Sequence, residues 1–397
     1  MNDKTLFRIR TALLQAYLRD NGYDGILISR SDNYAMATGG KRNFIYTYGD
    51  LGANSLFVTR EGEVFFVGNT IESPRQMEEE LMGLGCDSIE FLWFADSPAN
   101  AVRKKLSGNF VSDDGSLGPN VHSALAPLRA ALTPCEIEKY RRLGALAAEA
   151  MCATLDHIAA GMTEADIAAC LVAEGTKRRC HVPVALVAAD ERIARHRHPL
   201  PTVAPLITNG FVERAVTRYV MVVGCFLREG LVASLTRFKR VADIPEEIDD
   251  AYNRICGVDA LVQEATWPGA TLGEVFAVCR DAYPRLGFDA NEWHNHHQGG
   301  ATGYAGRTCK GAPGEPFMVI DPRWSEKTQE ILGESVAFGM AFAWNPSAPG
   351  VKSEDTFVLH ADGTQEIVTR TPALPEVDLE TVLGRPTRIV KSAMAVA

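Results

Sequence analysis

A helix start at Thr133 divides the chain into two parts with different patterns of apolar residues. Thr133 can cap the helix, Pro134 suits its first turn, and Glu136 lies where it completes a capping box with the threonine. The chain has 397 residues, which exceeds the size of one ordinary hydrophobic core. The sequence therefore predicts two domains, at residues 1–125 and 134–397.

The first part of the chain has the alternation of a compact α/β domain. Apolar residues lie on one helical face between residues 4 and 21, and Gly22 suits the position that ends a helix. Short apolar runs then predict strands at Gly25–Ser29, Ser55–Thr59 and Val64–Val67. Because the turn-like sequence REGE joins the last two runs, we expect them to form a β-hairpin.

The second part has the pattern of an antiparallel sheet flanked by long helices. Its predicted strands are Ala215–Val223, Leu231–Phe238, Val336–Trp344, Thr356–His360 and Gln365–Thr369. We expect a turn containing Gly224 and Gly230 to join the first two strands, and Asp362-Gly363 to form the turn between the last two. Long helices beside an antiparallel sheet predict an α+β fold.

Composition limits the kind of partner that the protein can have. The net charge of −10 argues against nucleic acid, because phosphate contacts need clustered Lys and Arg. No apolar run approaches the ~20 residues that cross a bilayer, and the sequence opens without a signal peptide. Nine scattered cysteines without a CxxC pair fit a reducing compartment. We therefore expect a cytoplasmic protein with neither a nucleic-acid nor a membrane partner.

The densest group of ionisable side chains lies in the segment HNHHQGGATGY, residues 294–304. Three of the nine histidines fall within four positions, at His294, His296 and His297, and paired glycines follow them. The glycines match neither GxGxxG after a strand nor GxxxxGK[ST], which disfavours a phosphate-binding loop. A histidine has a reference pKa of about 6.5 and can exchange a proton near neutral pH. The segment is a candidate metal site or a histidine acid–base centre.

Several segments resemble the creatinase–prolidase–aminopeptidase P family and occur in that family's order. They are PCEIEKYRRLGALAAEAM, SLTRF, HHQGGATGY and FGMAFAWNPSAPGVKSEDTFVLHADG, and NYAMATGG resembles the N-terminal domain of the family. The resemblance covers nearly the whole chain. It implies a creatinase-type α/β domain followed by a catalytic domain with the pita-bread fold, and it implies a homodimer.

The same resemblance implies five metal ligands, of which this chain lacks three. The positions of two aspartates and one glutamate are occupied by Val223 or Gly224, by Ser234 and by Asn345. Only His297 and Glu354 remain, and two ligands do not hold a dinuclear centre. We therefore expect neither a bound metal nor another cofactor. Ligation of one ion with help from His296, Glu229 or Glu292 stays open as an alternative.

Creatinase is the member of the family that works without metal, and the resemblance to it implies the catalytic residues. Its essential histidine matches His198, with His196 as the competing candidate. We expect His198 and His297 to handle protons, and Glu354 to orient water or a substrate cation. The other candidates, expected to bind substrate, are His296, His196, Asn345, Ser234, Tyr304 and Arg237. Arg237 is also a candidate partner that would orient Glu354, whereas His294 is expected to be a surface neighbour.

Three functions compete on these grounds. The leading hypothesis is a metal-independent, creatinase-like enzyme that hydrolyses a C–N bond of a small amino-acid-derived or amidino compound. Lyase or isomerase chemistry on the same histidines stays open, and the sequence does not identify the substrate. The second hypothesis is a metal-dependent Xaa-Pro aminopeptidase or dipeptidase with unusual ligands. The third is a non-catalytic pita-bread protein that binds a partner.

Overall fold

The computed structural model describes residues 2–47, 49–202 and 213–396, which form a mixed α+β fold. The α-helices are α1 (Asp3–Asn21), α2 (Ser31–Thr38), α3 (Ser73–Arg75), α4 (Pro98–Lys105), α5 (Ala126–Ala130), α6 (Pro134–His157), α7 (Glu164–Lys177), α8 (Glu191–Arg195), α9 (Glu246–Ala265), α10 (Leu272–Arg285), α11 (Arg323–Leu332) and α12 (Leu379–Leu383). Among the described residues, no helix has both the length and the apolar character that crossing a membrane requires.

The strands of the described residues lie between these helices, and several of them follow one another directly. They are β1 (Gly25–Arg30), β2 (Leu51–Thr59), β3 (Val64–Asn69), β4 (Asp87–Phe91), β5 (Phe110–Ser112), β6 (Ala131–Leu132), β7 (His181–Ala189), β8 (Tyr219–Arg228), β9 (Leu231–Arg240), β10 (Gly299–Ala301), β11 (Cys309–Lys310), β12 (Gly339–Trp344), β13 (Ser347–Ala348), β14 (Val351–Lys352), β15 (Asp355–Leu359), β16 (Gln365–Ile367) and β17 (Ala395–Val396).

The first five strands form one sheet in the order β4-β3-β2-β1-β5. Strands β2 and β3 pair antiparallel, which confirms the hairpin predicted around REGE. Helix α1 ends at Gly22, whose φ of 71° is the left-handed conformation expected of the residue that ends a helix. Among the described strands, β1–β5 pair only with one another. On this basis we propose the division at residues 1–125 and 134–397.

The later strands form a four-stranded sheet and a six-stranded sheet with long helices packed on them, and β13 pairs with β14. One sheet has the order β17-β9-β8-β7, and the other has the order β11-β10-β12-β15-β16 with β6 paired to β12. The capping box between Thr133 and Glu136 begins helix α6, as the sequence predicts. Strands β15 and β16 form the hairpin predicted around Asp362-Gly363.

The turn between β8 and β9 is shorter than expected. Strand β8 continues to Arg228, which pairs with Leu231, so the predicted turn that includes Gly224 is wrong. The turn consists of Glu229 and Gly230, with φ values of 50° and 76°. Two successive residues with positive φ are characteristic of the type I′ turn, whose twist suits a two-residue hairpin. Gly224 therefore lies inside the strand, opposite Leu235.

A buried ion pair joins the first helix to the start of α6. The side chains of Arg10 and Glu136 are both fully buried, and the Arg10 Nε donates to Glu136 Oε1 at 2.8 Å. The Tyr304 hydroxyl donates to the same oxygen at 2.5 Å. Tyr304 is only 2% exposed and its ring lies beside the Arg10 guanidinium. The expectation that Tyr304 contacts substrate is therefore wrong, because this structural contact uses its hydroxyl.

Replacing Glu136 with glutamine is expected to lower the free energy of unfolding by about 3 kcal/mol, because the buried Arg10 loses its counter-charge. Urea unfolding followed by circular dichroism measures this change. The control is Glu138→Gln, whose side chain is 72% exposed and whose pair with Arg141 should contribute no more than about 1 kcal/mol. Equal midpoints for the two variants would contradict the structural role of the buried pair.

Candidate active site

Three histidines from two distant segments meet in the second part of the chain. His198 follows the short helix α8, whereas His296 and His297 follow a 3-10 turn at Glu292–Asn295 and precede β10. The Nε2 atoms of His198 and His296 are 3.0 Å apart. The rings of His296 and His297 stack with centroids 4.5 Å apart, and the His198 and His297 centroids are 5.2 Å apart. The structure thus brings these three predicted residues together.

An ion pair joins the segment that contains His198 to the segment that contains His296 and His297. Arg197, next to His198, donates to Glu292 Oε1, and Asn295 donates to the same oxygen at 3.2 Å. Glu292 is therefore occupied by Arg197 and does not join the histidines as a ligand. Glu229 is also elsewhere, because it lies in the β8–β9 turn and pairs with Lys139 at 3.0 Å.

His196 and His294 do not join the three histidines. His196 ends helix α8 and is exposed, so it does not replace His198 in the histidine group of the described residues. His294 is exposed as well, and its ring lies against Trp293 with centroids 3.8 Å apart. Its position is that of the surface neighbour that the sequence predicts. The proposal that His196 binds substrate has no contact in its favour.

The Glu354 carboxylate is buried and surrounded by cations and hydroxyls. Its side chain is 2% exposed, and its Oε1 accepts from the Arg307 guanidinium at 2.6 Å. Its Oε2 accepts from Thr236 Oγ1 at 2.8 Å and lies 3.4 Å from Lys352 Nζ. Asn345 Nδ2 lies 3.5 Å from Oε1. Both carboxylate oxygens are therefore already engaged by the protein.

Ser234 faces Cys225 across strands β8 and β9. The two residues pair in register, and Cys225 Sγ lies 3.1 Å from Ser234 Oγ. Directly paired residues of antiparallel strands point to the same face. Cys225, rather than Val223 or Gly224, is thus the residue opposite Ser234. A turn that includes Gly224 hides this pairing, whereas the register of a two-residue turn at 229–230 identifies it.

Arg237 does not bind the Glu354 carboxylate, so that expectation is wrong. Its guanidinium donates to Asp355 Oδ1 at 2.6 Å and reaches Glu354 only at the main-chain oxygen, at 3.2 Å. Successive residues of a strand point to opposite faces, and Thr236 takes the face of the Glu354 carboxylate. Arg237 lies on the face of β9 opposite the Glu354 carboxylate and is only 2% exposed. It is therefore not placed to bind substrate.

The surroundings keep the three imidazoles neutral. Burial, followed by the charge of Arg307, lowers the pKa of His297 to about 3. Burial and the charge of Lys352 lower the pKa of His198, and they lower that of His296 far below its ordinary value. A neutral imidazole has a free lone pair, so each ring is in the protonation state of a base or a ligand.

Glu354 stays ionised for the opposite reason. Burial raises the pKa of its carboxyl, but the charges of Lys352 and Arg307 outweigh this effect and bring the pKa to about 2. The site at neutral pH therefore contains one fixed carboxylate, its two adjacent cations, and three neutral rings.

The residues present do not fit the dinuclear metal centre that the family resemblance implies. Two divalent ions need several carboxylates, but the strand pair supplies Cys225 and Ser234, and Asn345 is an amide. The remaining carboxylate is bound to Arg307 and Lys352. The nearest alternative is a single ion, because one nitrogen of each of the three histidines lies within 4.8 Å of the others.

Comparison with known proteins agrees with this architecture. The dipeptidase of Pyrococcus horikoshii OT3 superposes with a TM-score of 0.70 at 16% identity, covering 98% of this chain and 100% of that one. Dipeptidase PepE of Mycobacterium ulcerans superposes with a TM-score of 0.71 at 18% identity, covering 100% and 99%. The N-terminal domain of the FACT complex subunit SPT16 from chickpea has a TM-score of 0.63 at 11% identity, covering 96% and 99%.

These likenesses establish the fold, and a family model establishes the relationship. No curated protein matches the sequence. The model of metallopeptidase family M24 matches residues 138–361, which is more than half of the chain and includes all three histidines and Glu354. The chain therefore belongs to metallopeptidase family M24.

Proposed function

We propose that this protein hydrolyses a C–N bond of a small amino-acid-derived or amidino compound, using histidines rather than a dinuclear metal centre. The contact between the Nε2 atoms of His198 and His296, 3.0 Å apart, carries the proposal. This contact places two neutral imidazoles where a proton can pass between them, and one of the two Nε2 atoms must donate. A positioned acid–base group of this kind contributes roughly 10²–10⁴-fold to a reaction rate.

The reaction can be written with the residues of this chain. His198 accepts a proton from water as the water oxygen attacks the carbon of the C–N bond. The C–N bond then breaks, and the proton returns from the imidazole to the departing nitrogen. His198 is the most exposed of the three rings, so it is the one that water and substrate reach. His296 holds its orientation through the Nε2 contact, and the ring of His297 lies beside both.

Glu354 contributes charge rather than proton transfer in this proposal. A carboxylate whose pKa is about 2 is a weak base, and both of its oxygens already accept from the protein. Its role is to hold Arg307 and Lys352 in place. Asn345 and Ser234 are proposed to contact substrate, and Asn345 Oδ1 is buried without a hydrogen-bond partner among the described residues.

A specific observation favours each of two other functions. The three histidines could hold one ion with three protein ligands and an open position, which is how catalytic zinc is often held. That arrangement would support a metal-dependent aminopeptidase or dipeptidase. The fold is also that of a domain from a subunit of a protein complex, the N-terminal domain of SPT16, so a binding protein is the third candidate.

Metal analysis together with activity assays separates these functions. We expect well under one transition-metal ion per chain in protein purified without chelator, and turnover that persists in EDTA. The assay compares Xaa-Pro dipeptides with guanidino and amidino compounds, with and without added manganese, cobalt or zinc. Stoichiometric metal that is lost from a His296→Ala variant, together with turnover that requires it, would establish the metal-dependent function instead. No turnover of any compound would favour the binding protein.

Two further expectations accompany the proposal. We propose that the protein is a homodimer, which light scattering at micromolar concentration tests. The cytoplasm remains the predicted location.

A further inference from the structure

We propose that Lys352 and Arg307 form a binding site for a small, singly charged oxyanion such as a carboxylate. The site lies next to the three histidines. The site deepens the proposed function, because it assigns the substrate, or the state formed from it, a negatively charged oxygen. The naming of a substrate class rests on the proposed function, whereas the anion site itself can be measured without any turnover.

Lys352 has hydrogen-bonding capacity that the protein does not use. Its side chain is 3% exposed, and among the described residues its ammonium has only the Glu354 carboxylate as an ion-pair partner, at 3.4 Å. An ammonium has three N–H donors, so at least two of them lack a partner among the described residues. Leaving charged donors unsatisfied in a buried place is costly, and such groups usually indicate a water or ligand.

Arg307 pairs with the same carboxylate and also has an N–H donor that no described residue accepts. Its terminal nitrogens donate to Gly306 and to Glu354 Oε1, but its buried Nε has no partner among the residues that the structure describes. Lys352 and Arg307 thus approach different oxygens of Glu354. Among the described residues, each cation also has N–H donors without an acceptor. A single carboxylate does not satisfy both cations.

The charge balance of the site also favours an anion. Arg197 is neutralised by Glu292. Two cations, Lys352 and Arg307, therefore face one carboxylate and three neutral rings. A bound monoanion would bring the site closer to neutrality, whereas a divalent cation would increase its excess positive charge.

The two cations lie beside neutral residues where the family resemblance implies carboxylates. In a dinuclear centre, metal ions supply positive charge and carboxylates balance it. Here Cys225, Ser234 and Asn345 are neutral, and the positive charge comes from fixed side chains instead. Fixed cations aimed at the place where negative charge develops can stabilise an oxyanion without reorganising. Lys352 and Arg307 are proposed to do this for the oxyanion that forms on the attacked carbon.

Calorimetric titration with acetate tests the site in the full-length protein. We expect saturable binding of acetate in a chloride buffer of constant ionic strength, and no binding of acetamide, which has the same shape without the charge. Lys352→Met should weaken acetate binding by roughly tenfold or more. Lys352→Arg restores the charge and should bind within about threefold of the parent, which a merely structural role of the stem would not predict.

Two further variants keep the test decisive. Each single change leaves Glu354 with one cation, so Lys352→Met and Arg307→Gln are both expected to fold. Arg307→Gln supplies the same measurement if Lys352→Met does not fold. Lys104→Met is the control. That lysine lies in helix α4, is 71% exposed and pairs with Asp96. It should bind acetate like the parent.

The outcomes separate this proposal from the proposed function. Acetate binding that both variants retain, or no saturable binding to the parent protein, overturns the anion site. Acetate binding that depends on Lys352, in a protein that hydrolyses nothing in the substrate panel, supports the anion site while the proposed hydrolysis fails. If the protein hydrolyses a compound of the panel but binds no acetate, the anion site is wrong and the proposed hydrolysis stands.

Discussion

Replacing His198 with alanine is expected to lower kcat by roughly 10²-fold or more, because the proposed reaction needs its imidazole to take and return one proton. The ring contacts His296 Nε2 at 3.0 Å and is exposed to solvent rather than packed in a core. Removing it should therefore change the free energy of unfolding by no more than about 0.5 kcal/mol. The loss should appear in turnover and not in folding.

The measurement is steady-state kinetics with whichever compound of the substrate panel is hydrolysed. His196→Ala and His294→Ala are matched controls, because both remove an exposed histidine from the same two segments without touching the three-ring group. Both controls should keep turnover within about threefold of the parent. If His196→Ala reduced kcat as much as His198→Ala, the proposed assignment of the base would be wrong.

Local signals in the sequence identified much of the fold. The capping box at Thr133 and the hairpin at Asp362-Gly363 each depend on residues a few positions apart, so the pattern contains the whole interaction. The predicted β8–β9 turn is wrong at Gly224, because residue type alone does not show which of two glycines takes a positive φ. Gly230 has the positive φ that a turn requires, whereas Gly224 is an ordinary strand residue packed near Phe226.

The candidate site was only partly predictable for a different reason. Resemblance to a family indicated His198, His297 and Glu354, but it gave no information on their partners. Lys352 had a local signal, since alternate residues of an extended chain share a face and Lys352 precedes Glu354 by two positions. Arg307 had none, because it lies in the loop between β10 and β11 and reaches Glu354 across 47 positions.

The wrong assignment of Arg237 shows what strand alternation can correct. Thr236 and Arg237 are adjacent in β9, so only one of them can face the Glu354 carboxylate. Arg237 has the longer and charged side chain, which made it the more attractive partner on chemistry alone. The face decides otherwise, because Thr236 bonds to Glu354 Oε2 and Arg237 to Asp355.

Replacing Glu354 with glutamine is expected to lower the free energy of unfolding by roughly 3–5 kcal/mol, because Arg307 and Lys352 lose the counter-charge that they share. Glutamine keeps the size of the side chain, so the change isolates charge from packing. Turnover should fall as well, since the two cations are then free to move away from the reacting oxygen. Chemical denaturation and kinetics measure the two effects.

Glu366→Gln is the matched control for this change. That glutamate lies in the neighbouring β16 and pairs with Arg141, but its side chain is 38% exposed, so its loss should cost no more than about 1 kcal/mol. If Glu354→Gln cost as little as the control, the two cations would not depend on Glu354 and the charge account of the site would be wrong.

The double variant Glu354→Gln with Lys352→Met gives the sharpest form of the prediction. If repulsion between two unpaired cations causes the loss of stability, removing one cation should restore part of it, and the double variant should be more stable than Glu354→Gln alone. Residues in direct contact show coupling energies of about 0.5–3 kcal/mol in such cycles. If Glu354 were instead a metal ligand, Lys352→Met would restore nothing, and EDTA would destabilise the parent but not Glu354→Gln. Strict additivity of the two substitutions would therefore contradict the role of Glu354 as the counter-ion of the site.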